Sequence, residues 1–386
     1  MQAKHYLTII LGLILSSQSV FSQTTTTINI DVNGVNRSYR LYIPALYSSS
    51  NAVPLVFNFH GYTSTNQQQE VYADFRGIAD TANFIIVHPQ GLDIGGGTGW
   101  NTFAAVSTNQ GDLNFVEKML TKISSDYNID QDRIYSTGMS NGGFMSYDLA
   151  CFMSNRFAAI ASVTGGMTAL HKNACQASHP TPVMQIHGTD DAVVAYNGSG
   201  IGSLHVDSLV KFWVNFNNCN PTPTFTAVPD VVTTDNCTAE HYVYSGGTHG
   251  ATVEFFKIIG GGHNWAGAPI SINGNTNMDI SASKEIWRFF SKYKLNELIL
   301  KTGNIEENKN ILVYPNPTQN QVTIELENSD NTIFELFDAT GRLMQRNELT
   351  SGNNEISTSQ LTQGVFMYTL TQNQRIVQSG KIVKAN

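Results

Sequence analysis

Hydrophobic positions follow two different rhythms along the chain. Before about residue 296, short apolar runs alternate with segments of helical spacing. Leu55–Phe59, Phe84–Val87, Ile134–Ser136, Ala158–Val163, Val183–Ile186 and Val253–Ile259 are short, nearly continuous apolar runs, as expected of strands buried on both faces. Between them, Leu113, Val116, Leu120, Ile123 and Tyr127 recur at helical spacing, with Asp112 placed as an N-cap. Ile286–Tyr293 reads as a closing helix. Strands alternating with helices predict an α/β domain with a mostly parallel sheet covered on both faces. The entry is different. Ile28, Ile30 and Val32 alternate, Asn33-Gly34 makes a turn, and Tyr39, Leu41 and Ile43 alternate again, predicting an antiparallel hairpin at the sheet edge.

From about residue 296 to 310 the chain is rich in Asn, Glu and Lys and reads as a linker. Beyond it only strand patterns remain. Val322, Ile324 and Leu326 alternate, Asp338-Ala339-Thr340-Gly341 forms a turn, and Val365, Met367 and Thr369 face away from Phe366, Tyr368 and Leu370. Several short strands in fewer than about 80 residues predict a small all-β sandwich. It contains no His or Cys and is assigned no chemistry. The expected division is 1–22, 23–295, 296–310 and 311–386.

Residues 1–22 combine a basic start, a short apolar stretch from Tyr6 to Leu15, and small residues before Ser22. This is the pattern of a secretory signal peptide, and the stretch is too short to anchor in a bilayer. An even number of cysteines in an exported chain predicts disulfides. Sequence proximity favours Cys151–Cys175 and Cys219–Cys237. Of the 386 residues 41% are hydrophobic, enough for a sizeable core, and the net charge is −8. The acidic balance argues against nucleic-acid partners and anionic membrane surfaces.

The chemistry centres on Gly138-Met139-Ser140-Asn141-Gly142, a G-x-S-x-G between the strand Ile134–Ser136 and a helix-compatible stretch, Phe144–Cys151. Such a turn exposes a serine in strained geometry at the tip of a strand. A serine hydroxyl needs a base, and the base an orienting acid. Two downstream strand ends supply them: His187-Gly188-Thr189-Asp190-Asp191 and Gly260-Gly261-Gly262-His263. His263 is the candidate base; Asp191 and Asp190 compete as its partner. The oxyanion donors expected are the N–H of Asn141 and that of Tyr62, or of Gly61 beside it. His60 reads as a loop-supporting histidine. Trp100 and Trp265 are candidates to stack on substrate or to fill the core. No metal or cofactor motif is present.

These segments, with Tyr39–Pro44, Phe59-His60-Gly61 and Gly99-Trp100-Asn101, resemble the secreted polyhydroxybutyrate depolymerase and feruloyl esterase group. That group lies in carbohydrate esterase family 1 of the α/β-hydrolase superfamily. The resemblance covers roughly residues 27–295 and implies an α/β-hydrolase fold, a Ser140, His263, Asp191 triad and no cofactor. It implies hydrolysis of polymer-linked esters, feruloyl or acetyl groups of cell-wall polysaccharide or else polyhydroxybutyrate. Where the family commonly has H-T-W-P-G, this chain reads His263-Asn264-Trp265-Ala266-Gly267. The tail, with Tyr314-Pro315-Asn316-Pro317, Phe337–Arg342, Leu361, Gly364-Val365-Phe366 and Gly380-Lys381, resembles the C-terminal sorting domain of type IX secretion. That implies passage through the periplasm, a type IX secretion machinery as partner, and a secreted or outer-surface destination, with the tail often removed. An inactive surface glycan-binding protein would keep the scaffold but lack a triad member.

Overall fold

The computed structural model describes residues 24–103, 110–198, 201–300, 311–327, 331–338, 342–372 and 375–385. The predicted signal peptide and most of the 296–310 segment lie outside them. The chain divides into two compact units, Met1–Ile299 and Leu300–Asn386.

In the first unit the strands are β1 Thr24–Val32, β2 Val35–Ile43, β3 Val53–Phe59, β4 Ile85–Pro89, β5 Leu92–Asp93, β6 Thr98–Gly99, β7 Ile129–Met139, β8 Ala159–Val163, β9 Val183–Gly188, β10 Thr224–Ala227, β11 Thr238–Tyr244 and β12 Val253–Ile259. The helices are α1 Asn66–Tyr72, α2 Arg76–Ala82, α3 Gln110–Asp126, α4 Asn141–Phe152, α5 Ala169–Asn173, α6 Val206–Phe216, α7 Ala282–Phe290 and α8 Leu295–Leu300. Ten strands form one sheet in the order β1-β2-β4-β3-β7-β8-β9-β12-β11-β10. The six from β4 to β12 run parallel, and antiparallel hairpins flank them on both edges.

Alternate side chains of the central strands serve opposite faces. Val56, Ile86, Ala161 and Phe256 pack with Ile286 and Phe289 of α7. Phe57 and Val87 pack with Val116 and Ile123 of α3, and Val183 and Phe255 with Leu209 and Trp213 of α6. Burial on both faces, complete along β3, β8 and β9, explains why these strands are mostly apolar, with Asn58, Ser162, Gln185 and His187 the polar exceptions. The entry hairpin turns through Asn33 (φ 55°) and Gly34 (φ 84°), the left-handed pair that a two-residue turn between right-twisted strands requires.

Three details differ from the sequence expectation. Asp112 lies within α3 and is buried; its Oδ1 pairs with Arg37 Nη2 at 3.0 Å and its Oδ2 accepts from the Asn101 N–H at 3.0 Å. It is an internal tie between β2, α3 and the loop after Trp100, not a cap. The expected linker opens as helix α8, because Leu295 and Leu298 recur at helical spacing and are both buried. The β10–β11 extension was not anticipated: four of its residues, Thr224–Ala227, are exposed, so no hydrophobic pattern announces them.

In the second unit β13 Ile311–Tyr314, β14 Gln321–Leu326 and β17 Gly352–Ser357 form one sheet. A second sheet contains β15 Thr332–Phe337, β16 Leu343–Leu349, β18 Gly364–Gln372 and β19 Arg375–Lys384. Val322, Ile324, Phe334, Leu336, Phe366 and Leu370 make its core. The expected turn at Asp338 closes with Asp338 N–H donating to Arg342 O; Ala339–Gly341 lie outside the described residues.

Candidate active site

Ser140 stands between the end of β7 and the start of α4, with φ 54° and ψ −122°. For a residue with a Cβ this backbone is strained. It is held by Ser140 N–H donating to Val163 O at 2.9 Å and by the first turn of α4. The flanking glycines are steric requirements. A Cβ on Gly142 would lie 2.1 Å from Phe59 O, and one on Gly138 2.5 Å from the Gly142 carbonyl carbon. Strain clusters around this point, since the β-branched Thr63 (φ 64°) and Thr164 (φ 47°) are also left-handed.

The two downstream strand ends converge as expected. His263 Nδ1 donates to Asp191 Oδ2 at 2.8 Å. Asp191 Oδ1 accepts from the N–H groups of Val193 and Val194, each at 2.8 Å. The carboxylate is therefore shared between the imidazole and the loop beside it. Asp190 is exposed and bonds only Thr189 Oγ1 among its described side-chain contacts, so Asp191 is the residue that meets His263. Buried His187 completes the support: its Nε2 donates to Val194 O at 2.7 Å and its Nδ1 accepts from Gln185 Nε2 at 2.9 Å. Burial pushes the His187 pKa down, which keeps the ring neutral.

Ser140 and His263 line one cleft together with Tyr62, Tyr72, Val193 and Ile272. Among the described hydrogen bonds none joins Ser140 Oγ to His263. Such bonds are often long in unliganded sites and tighten on the substrate. Asn141, the first residue of α4, has an N–H with no acceptor in its own helix. Across the cleft the Thr63 N–H is taken by Thr98 O and that of Ser64 by Gly61 O, while among the described residues no backbone acceptor engages the Tyr62 N–H. His60 is loop support. Its Nδ1 donates to Gly61 O at 2.7 Å and its Nε2 accepts from the Gly91 N–H at 2.9 Å. Burial lowers its pKa to about 4.

The two tryptophans are buried in the core. Trp100 is fully buried, edge-on to Phe59, and its Nε1 donates to His60 O at 2.9 Å. Asn141 latches its backbone, Oδ1 accepting from Trp100 N–H at 2.7 Å and Nδ2 donating to Trp100 O at 3.0 Å. Trp265 is also buried, and its Nε1 donates to Ser283 Oγ. The indole N–H of each finds an internal acceptor, the usual condition for burying such a ring. Tyr72 was missed by the sequence reading. Its hydroxyl accepts from Trp265 N–H at 2.9 Å and donates to Asn264 Oδ1 at 3.3 Å, fixing the segment after His263.

Of the cysteines, Cys151 and Cys175 are joined. The expected Cys219–Cys237 bridge is absent, and both thiols are free and buried. Cys219 bonds Ala251 O, before the start of β12, whereas Cys237 lies beside Gly260, past its end. A seven-residue strand separates them by roughly 20 Å, and a disulfide spans less than about 7 Å between Cα atoms.

Residues 101–218 match the phospholipase/carboxylesterase family, and residues 312–385 match the secretion system C-terminal sorting domain. Among curated proteins, the chain is 29% identical over 275 residues to feruloyl esterase C of Emericella nidulans, covering 68% of this chain and 87% of that one. It is 26% identical over 272 residues to a bifunctional acetylxylan esterase/xylanase of Neocallimastix patriciarum, covering 70% of this chain. The chain has the α/β-hydrolase fold and is similar in sequence to feruloyl and acetylxylan esterases. The acetylxylan esterase of Aspergillus awamori shares this fold, with a TM-score of 0.52 and 16% identity over 69% of this chain and 99% of that one. The chain spans 35% of the length of the Neocallimastix protein and 64% of a protein named probable feruloyl esterase C from Aspergillus niger. The sorting domain of this esterase relative marks it as secreted or cell-surface. No helix among the described residues is long and apolar enough to cross a membrane.

Proposed function

We propose that the protein is a secreted serine carboxylic-ester hydrolase that cleaves polymer-linked esters, foremost the feruloyl or acetyl esters of plant cell-wall polysaccharide. The observation that carries this reading is the cleft shared by Ser140 and His263, with Asp191 bonded behind the imidazole. Ser140 Oγ attacks the ester carbonyl carbon as its proton passes to His263 Nε2. The N–H groups of Asn141 and Tyr62 meet the charge that develops on the carbonyl oxygen. Collapse expels the alcohol, whose oxygen takes the proton from His263, and leaves an acyl ester on Ser140. Water then attacks that ester, giving its proton to His263, and the carboxylic acid leaves as the proton returns to Ser140. Asp191 holds the His263 Nδ1 proton and stabilises the imidazolium. The names of the feruloyl and acetylxylan relatives support this substrate class. The type IX machinery would deliver the enzyme to polymer outside the cell through the sorting domain.

A second reading, extracellular polyhydroxybutyrate depolymerase, is favoured by the aliphatic rim of the cleft. Val71, Ile270 and Ile272 are exposed there and would suit a polyester surface. A glycan-binding protein without activity is disfavoured. All three of its candidate components for catalysis are present, and Trp100, Trp213 and Trp265, the usual kind of sugar platform, are buried.

The test is acid release in a pH-stat from feruloylated arabinoxylan, acetylated xylan, polyhydroxybutyrate and a short soluble ester, each paired with Ser140→Ala. Release from a polysaccharide that Ser140→Ala abolishes supports the first reading, and release from polyhydroxybutyrate alone the second. No Ser140-dependent release from any of them overturns the esterase reading.

A further inference from the structure

Two cavities meet at Ser140. The one lined by His263 has a volume of about 760 Å³ and carries Ser64, Gln67, Gln68 and Tyr72, with Ile270 and Ile272 on its rim. The other, of about 500 Å³, is lined by Ile94, Phe103, Val194 and Ile201, with Asn141 at its Ser140 end, and does not include His263. Tyr62 and Val193 line both, so they form the wall between them.

The Tyr62 ring is held in place. Its hydroxyl donates to Gly95 O at 2.9 Å. A Cβ on Gly99 would come within 3.0 Å of the ring and one on Gly96 within 3.4 Å of the hydroxyl, so the loop joining β5 to β6 lies directly behind it. That loop is itself fixed, with Asp93 Oδ1 accepting from the N–H groups of Gly95, Gly96 and Gly97 at 2.9, 3.1 and 3.3 Å. Thr63 N–H donates to Thr98 O from the neighbouring residue.

The geometry points to Tyr62 as a specificity-determining residue whose anchored ring separates an acyl arm from a leaving-group arm, the acyl arm being the Ile94, Phe103 and Ile201 cavity. This inference rests on the ester-hydrolase reading. The direction follows from proton transfer. His263 must give its proton to the departing alkoxide oxygen, so the alcohol portion of the ester occupies the cavity that His263 lines. The acyl carbon, bonded to Ser140 Oγ, then directs its substituent to the opposite side. An aliphatic and aromatic cavity of this size favours a bulky apolar or aromatic acyl group, because an acetyl group leaves most of its surface uncovered. The hydroxyl and amide groups of Ser64, Gln67 and Gln68 on the other side suit a hydroxyl-rich alcohol.

The experiment compares kcat/KM for methyl cinnamate and methyl acetate, which share an alcohol, in the full chain. The wild type is expected to prefer the cinnamate. Ile94→Trp, which fills the acyl arm, is expected to lower the cinnamate-to-acetate ratio by about tenfold or more. Ile201→Trp, at an exposed position of the same arm, should move the ratio the same way and covers the case in which Ile94→Trp fails to fold. Tyr62→Ala should also collapse the ratio, and Tyr62→Phe, which loses only the tether, should lower it less. Equal losses on both esters in both filling variants overturn the assignment. So does a ratio that moves with Ile270→Trp in the other arm and not with the acyl-arm variants. A wild type that hydrolyses neither ester in a Ser140-dependent manner overturns the esterase reading itself, an outcome distinct from active enzyme with an unchanged ratio.

Discussion

Asp191 divides its carboxylate between two tasks: Oδ2 accepts from His263 Nδ1 at 2.8 Å while Oδ1 accepts from the N–H groups of Val193 and Val194. The same side chain thus orients the His263 imidazole and pins one wall of the cleft. Asp191→Asn is expected to lower kcat by about 10³–10⁴-fold, because an amide favours the wrong imidazole tautomer. Asp190→Asn, at the exposed neighbour, is expected to change kcat less than about twofold. Steady-state kinetics on a soluble ester checks both.

Trp100 supports the loop that carries His60, Gly61 and Tyr62 through its Nε1–H to His60 O, and its ring is fully buried. Trp100→Phe should therefore reduce stability by about 1–3 kcal/mol, from the lost hydrogen bond and the smaller ring. If Trp100 were a stacking platform, the variant would instead raise KM at unchanged stability. Urea unfolding beside KM values for a soluble and a polymeric ester separates the two.

The cysteines should behave unequally. Two thiols are expected to react in unreduced, denatured protein and four after reduction, because Cys151 and Cys175 are joined and Cys219 and Cys237 are free. The bridge closes a loop with a sequence separation of 24 residues, so Cys151→Ser with Cys175→Ser should cost about 3 kcal/mol. Thiol counting and denaturant melts test this pair of statements.

Acid should weaken the fold through buried imidazoles. Burial lowers His60 and His88 from 6.5 to about 4 each, and among the described residues neither ring nitrogen of His88 has a hydrogen-bond partner. The unfolded chain then binds protons that the native state resists. Stability is fully present above about pH 6.5 and lost as the pH falls toward 4, on the order of 3 kcal/mol per group. Asp148 opposes this, since burial raises it from 3.8 to about 6 and its native form gains protons as the pH falls through that window. Three imidazoles, His187 among them, against one carboxyl give net acid lability. Tm measured from pH 7 to 4.5 should fall, and His88→Leu should flatten the slope.

Much of the site was legible because its parts sit at strand ends. Apolar runs announce β3, β7, β9 and β12, and the residues that follow each run are Gly61-Tyr62, Ser140, Asp191 and His263. In a parallel sheet such ends converge. What the sequence did not reveal depends on side-chain direction and on contacts distant in sequence. Asp112 has the residue type of a cap but faces Arg37, 75 residues away. Glycine and aromatic residues near the motifs suggested stacking, yet Trp100 and Trp265 point inward. Tyr72 carries no motif, and its importance lies in a contact with Trp265, 193 residues on. Sequence proximity paired Cys219 with Cys237, but β12 runs its full length between them. Polar, exposed Thr224–Ala227 lacked any pattern to read.

In the ester hydrolase proposed above, Ser140 is the nucleophile. Stoichiometric treatment with a fluorophosphonate, followed by intact mass and peptide mapping, tests it most directly. One adduct is expected, on Ser140, with parallel loss of ester hydrolysis and no adduct on Ser140→Ala. Hydrolytic activity that survives in Ser140→Ala, or an inactivating adduct on a different residue, would contradict it.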